Sequence, residues 1–228
     1  IGDILVFLDD DTILDKDYLK EIKKVFDNFP REQIGGVTGE VIPSRNPQKG
    51  FFWKILRFGK ETLDKIFLLN GYGNGKMQPS GFATVIKSRS VNRVVPGIEF
   101  LYGFNMSFRR EVISELRFDE ESPEHEDDDI AYRVSRRYTN IYTPFAKLIH
   151  AASPLGGYGY RPARLKREIR GHLHHFRKNL PQTPKYKVAC WWALSGFVGM
   201  EIIRMLAKRD ISGLRSIMCG LIDLIRGK

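Results

Sequence analysis

The chain has 228 residues, enough to bury the core of one domain with an appendage. Lys and Arg outnumber Asp and Glu by 37 − 27 = 10, which favours an anionic partner: a phosphorylated substrate, an acidic membrane surface or nucleic acid. The two cysteines, Cys190 and Cys219, lie in apolar surroundings without metal-type spacing, which argues against a disulfide scaffold and fits a reducing compartment.

Ile4 to Leu8 is an unbroken apolar run that leads into Asp9, Asp10 and Asp11, and it reads as a strand buried on both faces. A strand that ends in three acids delivers them to the carboxyl edge of a sheet, where open α/β folds bind ligands. Carboxylates this close repel one another, and a hard divalent cation, Mg²⁺ or Mn²⁺, relieves that repulsion. Taken alone, the triplet is equally a solvated turn capping the next helix. The run begins almost at Ile1, so an amino-terminal portion is expected upstream.

Apolar residues from Tyr18 to Phe29 recur at helical spacing, and Pro30 stops them. Ile34 to Ile42 reads as the next strand, making an α/β unit. Phe51 to Leu69 predicts a helix, Gly71 to Gly81 a mobile loop and Phe82 to Lys87 a short strand. A strand over Phe100 to Arg109 enters a helix near Arg110. Glu120 to Asp129 holds seven acids in ten residues and opens a helix over Asp127 to Tyr138. A last β segment ends at His150.

Beyond Ala151 the character changes. An aromatic glycine loop spans Leu155 to Tyr160, and a basic segment from Arg161 to Lys178 carries His172, His174 and His175. Those histidines have no acid or cysteine partner nearby in sequence and read as part of a basic face. Val188 to Met200 is uncharged and contains Trp191 and Trp192, and an apolar helical stripe runs from Ile211 to Ile225. Thirteen uncharged residues are short of a span, which needs about 20. An interfacial helix on an anionic membrane surface is expected instead, with a bundle packed on the first domain as the alternative.

Four segments in order resemble the family 2 glycosyltransferases of the GT-A fold. They are the strand ending Asp9-Asp10-Asp11, the run Gly103 to Arg110, Glu126-Asp127-Asp128-Asp129-Ile130-Ala131-Tyr132-Arg133, and Ala146 to His150. The resemblance implies a GT-A-type mixed sheet flanked by helices over residues 1–155, lacking the first nucleotide-reading strands. A helical, membrane-interfacial region over 156–228 follows. It implies an inverting transfer of sugar from a nucleotide-sugar donor to a glycan or lipid-linked acceptor, at the cytoplasmic face of the membrane. In the roles it implies, Asp11 and His150 bind Mg²⁺ or Mn²⁺, Asp9 and Asp10 hold the donor's ribose and support the metal, and Asp127 is the catalytic base. Gly103, Asn105 and Glu126 contact substrate. His150 is equally a core-edge histidine, and Gly103 could serve only a turn.

Arg164, Arg167 and Arg170 could clamp a diphosphate, although a solvated or membrane-facing helix is the commoner outcome for such a segment. Two alternatives are a haloacid dehalogenase-type phosphohydrolase, which also ends a strand in Asp-x-Asp, and a catalytically incomplete membrane-associated fragment. A nucleic-acid partner is not expected, because the basic residues cluster near apolar helices and do not alternate with stacking aromatics.

Overall fold

The computed structural model describes residues 2–43, 51–87, 91–122, 124–151, 164–209, 214 and 217–219. The aromatic glycine loop and most of the stripe after residue 210 lie outside these residues.

Among the described residues there are eight strands and six helices. In chain order they are β1 (Ile4–Leu8), β2 (Thr12–Leu14), α1 (Tyr18–Asn28), β3 (Ile34–Pro43), α2 (Phe51–Ile66), β4 (Tyr72–Gly73) and β5 (Val85–Ile86). Then come β6 (Val95–Ile98), β7 (Asn105–Arg109), α3 (Arg110–Leu116), α4 (Glu126–Ser135), β8 (Thr139–His150), α5 (Leu165–Asn179) and α6 (Pro184–Lys208). The main sheet runs β1-β7-β3-β8-β2, with β6 also paired to β8. Only β3 and β8 are parallel in it; β1, β2 and β6 run antiparallel to their partners. The expected mixed sheet flanked by helices is therefore present. One difference is β1, which lies at an edge of the described sheet and is half-buried, because β7 is its one strand partner there.

Alternation along β7 builds two cores, since successive side chains point to opposite faces. Met106 and Phe108 face α3 and α4, packing with Val112, Ile130, Ala131 and Val134. Asn105 faces α1, whose Tyr18, Ile22, Val25 and Phe26 cover Ile34, Val37, Ile141 and Leu148. The tail helices form a further layer in which Ile169, Leu173 and Phe176 of α5 meet Cys190 and Leu194 of α6.

The glycine-rich stretch from 71 to 81 is ordered, contrary to its aperiodic sequence. β4 and β5 pair, Ser80 Oγ donates to the Leu68 carbonyl at 2.6 Å, and Gln78 Nε2 donates to that of Leu69 at 2.8 Å. Local polar bonds fix this loop in place of apolar periodicity.

Asn105 sits at the crossing of both cores and is fully buried. Its Oδ1 accepts from Tyr18 Oη at 2.6 Å and from the Gly39 amide at 3.1 Å, while Nδ2 donates to the Gly39 carbonyl at 3.0 Å. Replacing Asn105 with Leu strands these partners, and a cost of about 2–4 kcal/mol is expected in denaturant unfolding.

Candidate active site

The site has two ends. At the first, β1 runs out into a tight turn in which the Thr12 amide and hydroxyl both donate to the Asp9 carbonyl, at 3.2 and 2.7 Å. The turn feeds β2, whose Thr12 pairs with His150 at the end of β8, and the Ala151 amide donates to the Asp11 carbonyl at 2.8 Å. That pairing brings His150 Nε2 to 2.9 Å from Asp11 Oδ1. The imidazole is fixed from its other side by Phe104, stacked at 4.1 Å between ring centroids.

One ligand atom each from Asp9, Asp11 and His150 lies within 4.8 Å of the other two. Opposite donors around a six-coordinate Mg²⁺ stand ~4.2 Å apart, so a small ion closes this gap by modest side-chain movement. Asp11 Oδ1 is buried and, despite the nearby imidazole, accepts no hydrogen bond of good geometry from the described residues. Burial raises the Asp9 carboxyl pKa, and the Asp11 charge adds to that rise. A divalent cation answers both the orphaned oxygen and the repulsion, and two carboxylates with one imidazole suit Mn²⁺ or Mg²⁺. Asp9, expected to hold the donor and support the metal, lies in the metal-type cluster. Asp10 is exposed between its neighbours and joins neither the cluster nor the cavity.

At the second end, the four acids that open α4 are sorted by their partners. Asp129 is fully buried and is held by Arg133, by Lys178 and, at 2.7 Å, by Asn179, the last two on α5. Asp128 meets His125 Nδ1 at 3.0 Å. Among the described residues no cationic side chain is paired with Asp127; its Oδ2 accepts from the Gly103 amide at 3.2 Å and its Oδ1 from the Asp128 amide at 2.9 Å. Burial, with help from Asp128 and Glu126, raises the Asp127 pKa to about 7.

His125 adopts the left-handed conformation at φ 67° and turns its ring back under this acidic start. Burial opposes its charge, yet bonds to Asp128 and to Glu168 of α5 outweigh that and raise its pKa to about 10. The imidazolium therefore neutralises Asp128 and Glu168 and leaves Asp127 as the titrating group.

A cavity of about 440 Å³ is lined by Asp9 from the first end and by Asp127 from the second, and walled by Phe100, Tyr102, Gly103 and Phe104; Asp11 and His150 are not among its lining residues. Glu126, Glu168 and Arg164 close another side, and Asn70 stands in the lining from the α2 side. Asn105 is not part of it, because its polar atoms are bonded within the sheet. Gly103 touches Asp127 directly: a Cβ there would stand 2.7 Å from Asp127 Oδ2.

The basic segment differs from the expected surface. His172 and His175 are buried, and burial lowers both of their pKa values. His172 Nε2 donates to the Ser80 carbonyl at 3.0 Å. The cations of α5 turn back to acids: Arg164 and Arg167 to Glu124, Lys178 and His174 to Asp119. Sequence reasoning missed His125, Glu168, Tyr102 and Phe104. An imidazole immediately before a run of four acids was a usable signal for His125; Glu168 carried none.

No family model matches the chain, and no curated protein matches it. A solved mannosyltransferase is similar to it. This is PcManGT from Pyrobaculum calidifontis, in complex with GDP-Man and Mn²⁺, at 14% sequence identity and a TM-score of 0.47. The match covers 100% of this chain and 64% of that one, so the chain spans under two thirds of that structure's length.

Two outcomes follow from the geometry. Asp11→Asn should weaken Mn²⁺ binding about tenfold or more, read by calorimetry. Gly103→Ala should displace the Asp127 carboxylate and remove its backbone bond, with a shifted Asp127 titration in carboxyl ¹³C NMR.

Proposed function

We propose that this chain carries the catalytic face of a metal-dependent glycosyltransferase of the inverting, family 2 type. It would move a sugar from a nucleotide-sugar donor to a hydroxyl of a glycan or lipid-linked acceptor. The observation that carries the proposal is the placement of Asp127 in the same cavity as Asp9, with its pKa raised to about 7. A carboxylate of that pKa is a competent base near neutral pH, and an ordinary exposed aspartate is a poor one.

In this reading Asp127 accepts the proton of the acceptor hydroxyl. The hydroxyl oxygen then bonds the anomeric carbon from the face opposite the leaving diphosphate. The bond from that carbon to the diphosphate oxygen breaks, its electron pair leaves with the diphosphate, and the anomeric centre inverts. A divalent ion held by Asp9, Asp11 and His150 would supply the positive charge that the departing diphosphate needs. The Gly103 amide keeps one carboxylate oxygen in place, and His125 holds the neighbouring Asp128. Tyr102 and Phe104 offer flat apolar surface to a sugar ring.

Asp127→Asn should fold normally by circular dichroism and lose transfer by about 10²–10⁴-fold, assayed with GDP-Man and with uridine-diphosphate sugars in turn. Retained turnover removes Asp127 from this role. For the unaltered chain, kcat/KM should rise with pH and level off above about 7, where the base is ionised. The same burial has a stability consequence. The folded pKa lies above the unfolded one, so ionised Asp127 opposes folding above pH 7 and protonated Asp127 does not below pH 4. Asp127→Asn should therefore raise the melting temperature at pH 8 and leave it unchanged at pH 3.5.

A further inference from the structure

Helix α6 has two unlike apolar sides. One side, with Cys190, Ala193, Leu194 and Met205, is buried against α5, the end of α2 and the segment around Phe82. The other side carries Val188, Trp191, Trp192, Ile203 and Leu206 on one helical stripe. These are exposed, Val188 by 69%, Ile203 by 66% and Leu206 by 64%. Leu63 and Ile66 of α2 continue the exposed surface.

Its charge is one-sided. Glu201 is the one acid of α6, and it is buried and paired with Arg204. Lys185, Lys187 and Lys65 are exposed, and the whole chain is positive by 10. By length and composition Pro184–Leu206 could cross a membrane. Its inner side is docked along its length, however, which suits a helix lying in the plane of the interface.

The stripe is also tied to the cavity. Trp192 Nε1 donates to the Ile66 carbonyl at 2.7 Å, and its ring stacks on Phe67 at 4.9 Å. Gly196 lets α6 approach that ring, since a Cβ there would fall 2.1 Å from Phe67 Cγ. Asn70, four residues after Ile66, lines the cavity. Four residues reach at most ~14 Å, and an interfacial helix sinks ~5–10 Å into the headgroups. A hydroxyl or phosphate at headgroup level is therefore within reach of the cavity mouth.

We propose that the exposed stripe of α6, with the end of α2, seats on an anionic membrane surface, and that the cavity takes its acceptor from there as a lipid-borne molecule. The seating stands on the surface alone; the acceptor part rests on the glycosyl-transfer reading above.

The test is flotation of the full chain with phosphatidylcholine vesicles that contain or lack phosphatidylglycerol. Co-flotation with the anionic vesicles, weakened by salt, is expected. Trp191→Asp and Leu206→Asp, at exposed positions, should bind about tenfold less while melting as the parent does. Asp127→Asn should float like the parent, so a failed catalytic reading and a failed seating give different results. Transfer to a lipid-borne acceptor in vesicles should fall in Trp191→Asp, while transfer to a short soluble acceptor stays the same. A parent chain that stays at the bottom of the gradient overturns the seating. So does a dimer in light scattering that Trp191→Asp dissolves, because a second copy would then be the occupant. Equal transfer to the vesicle-borne acceptor by parent and variant, or none by either, overturns the acceptor part.

Discussion

The site depends on how negative charge is distributed among carboxylates that stand too close together. Asp9 and Asp11 share a turn, and Glu126 to Asp129 share the first turn of one helix, so within each group the negative charges repel one another. Arg133, Lys178 and Asn179 hold Asp129, and His125 holds Asp128 and Glu168. Asp127 accepts instead from the Gly103 and Asp128 amides, and Asp9 and Asp11 stand together beside His150. At the α4 end burial raises the Asp127 pKa, and at the β1 end the chemistry fits a divalent cation.

Helix α5 is what makes this sorting possible. It supplies Glu168, Lys178 and Asn179 to the α4 turn and meets the 71–81 loop through His172. A segment that looks like a basic surface helix is thus an internal brace, with Arg167, His174 and Lys178 turned onto acids of the neighbouring segments. Exposed pairs of this kind add little stability each. Their value here is positional: Asp129 is tied to α5, while Glu126, Asp127 and Asp128 line the cavity.

The element order was legible in the sequence because period-2 and period-3.6 patterns survive wherever a segment has one buried face. Helix α1, strand β3 and the β7–α3 corner all follow that rule. The 71–81 loop was not legible, since its order comes from side-chain bonds to Leu68 and Leu69 that leave no periodic trace. β1 was read as doubly buried from its apolar run, and it is an edge strand whose burial depends on neighbours that composition does not reveal.

The acids themselves follow the same division. Their presence, spacing and chain order are properties of the sequence, and so is the inference that a cation and a base belong near them. Which acid does what is decided by three-dimensional packing: Asp9 joins Asp11 and His150 because β2 pairs with the end of β8, and Asp127 is the base candidate because Gly103 and α5 crowd the same turn. Asn105, adjacent to the site in sequence terms, is removed from it by a hydroxyl 87 residues away. Burial and partner choice set carboxylate chemistry, and both are properties of residues distant along the chain, so no local pattern could have assigned these roles.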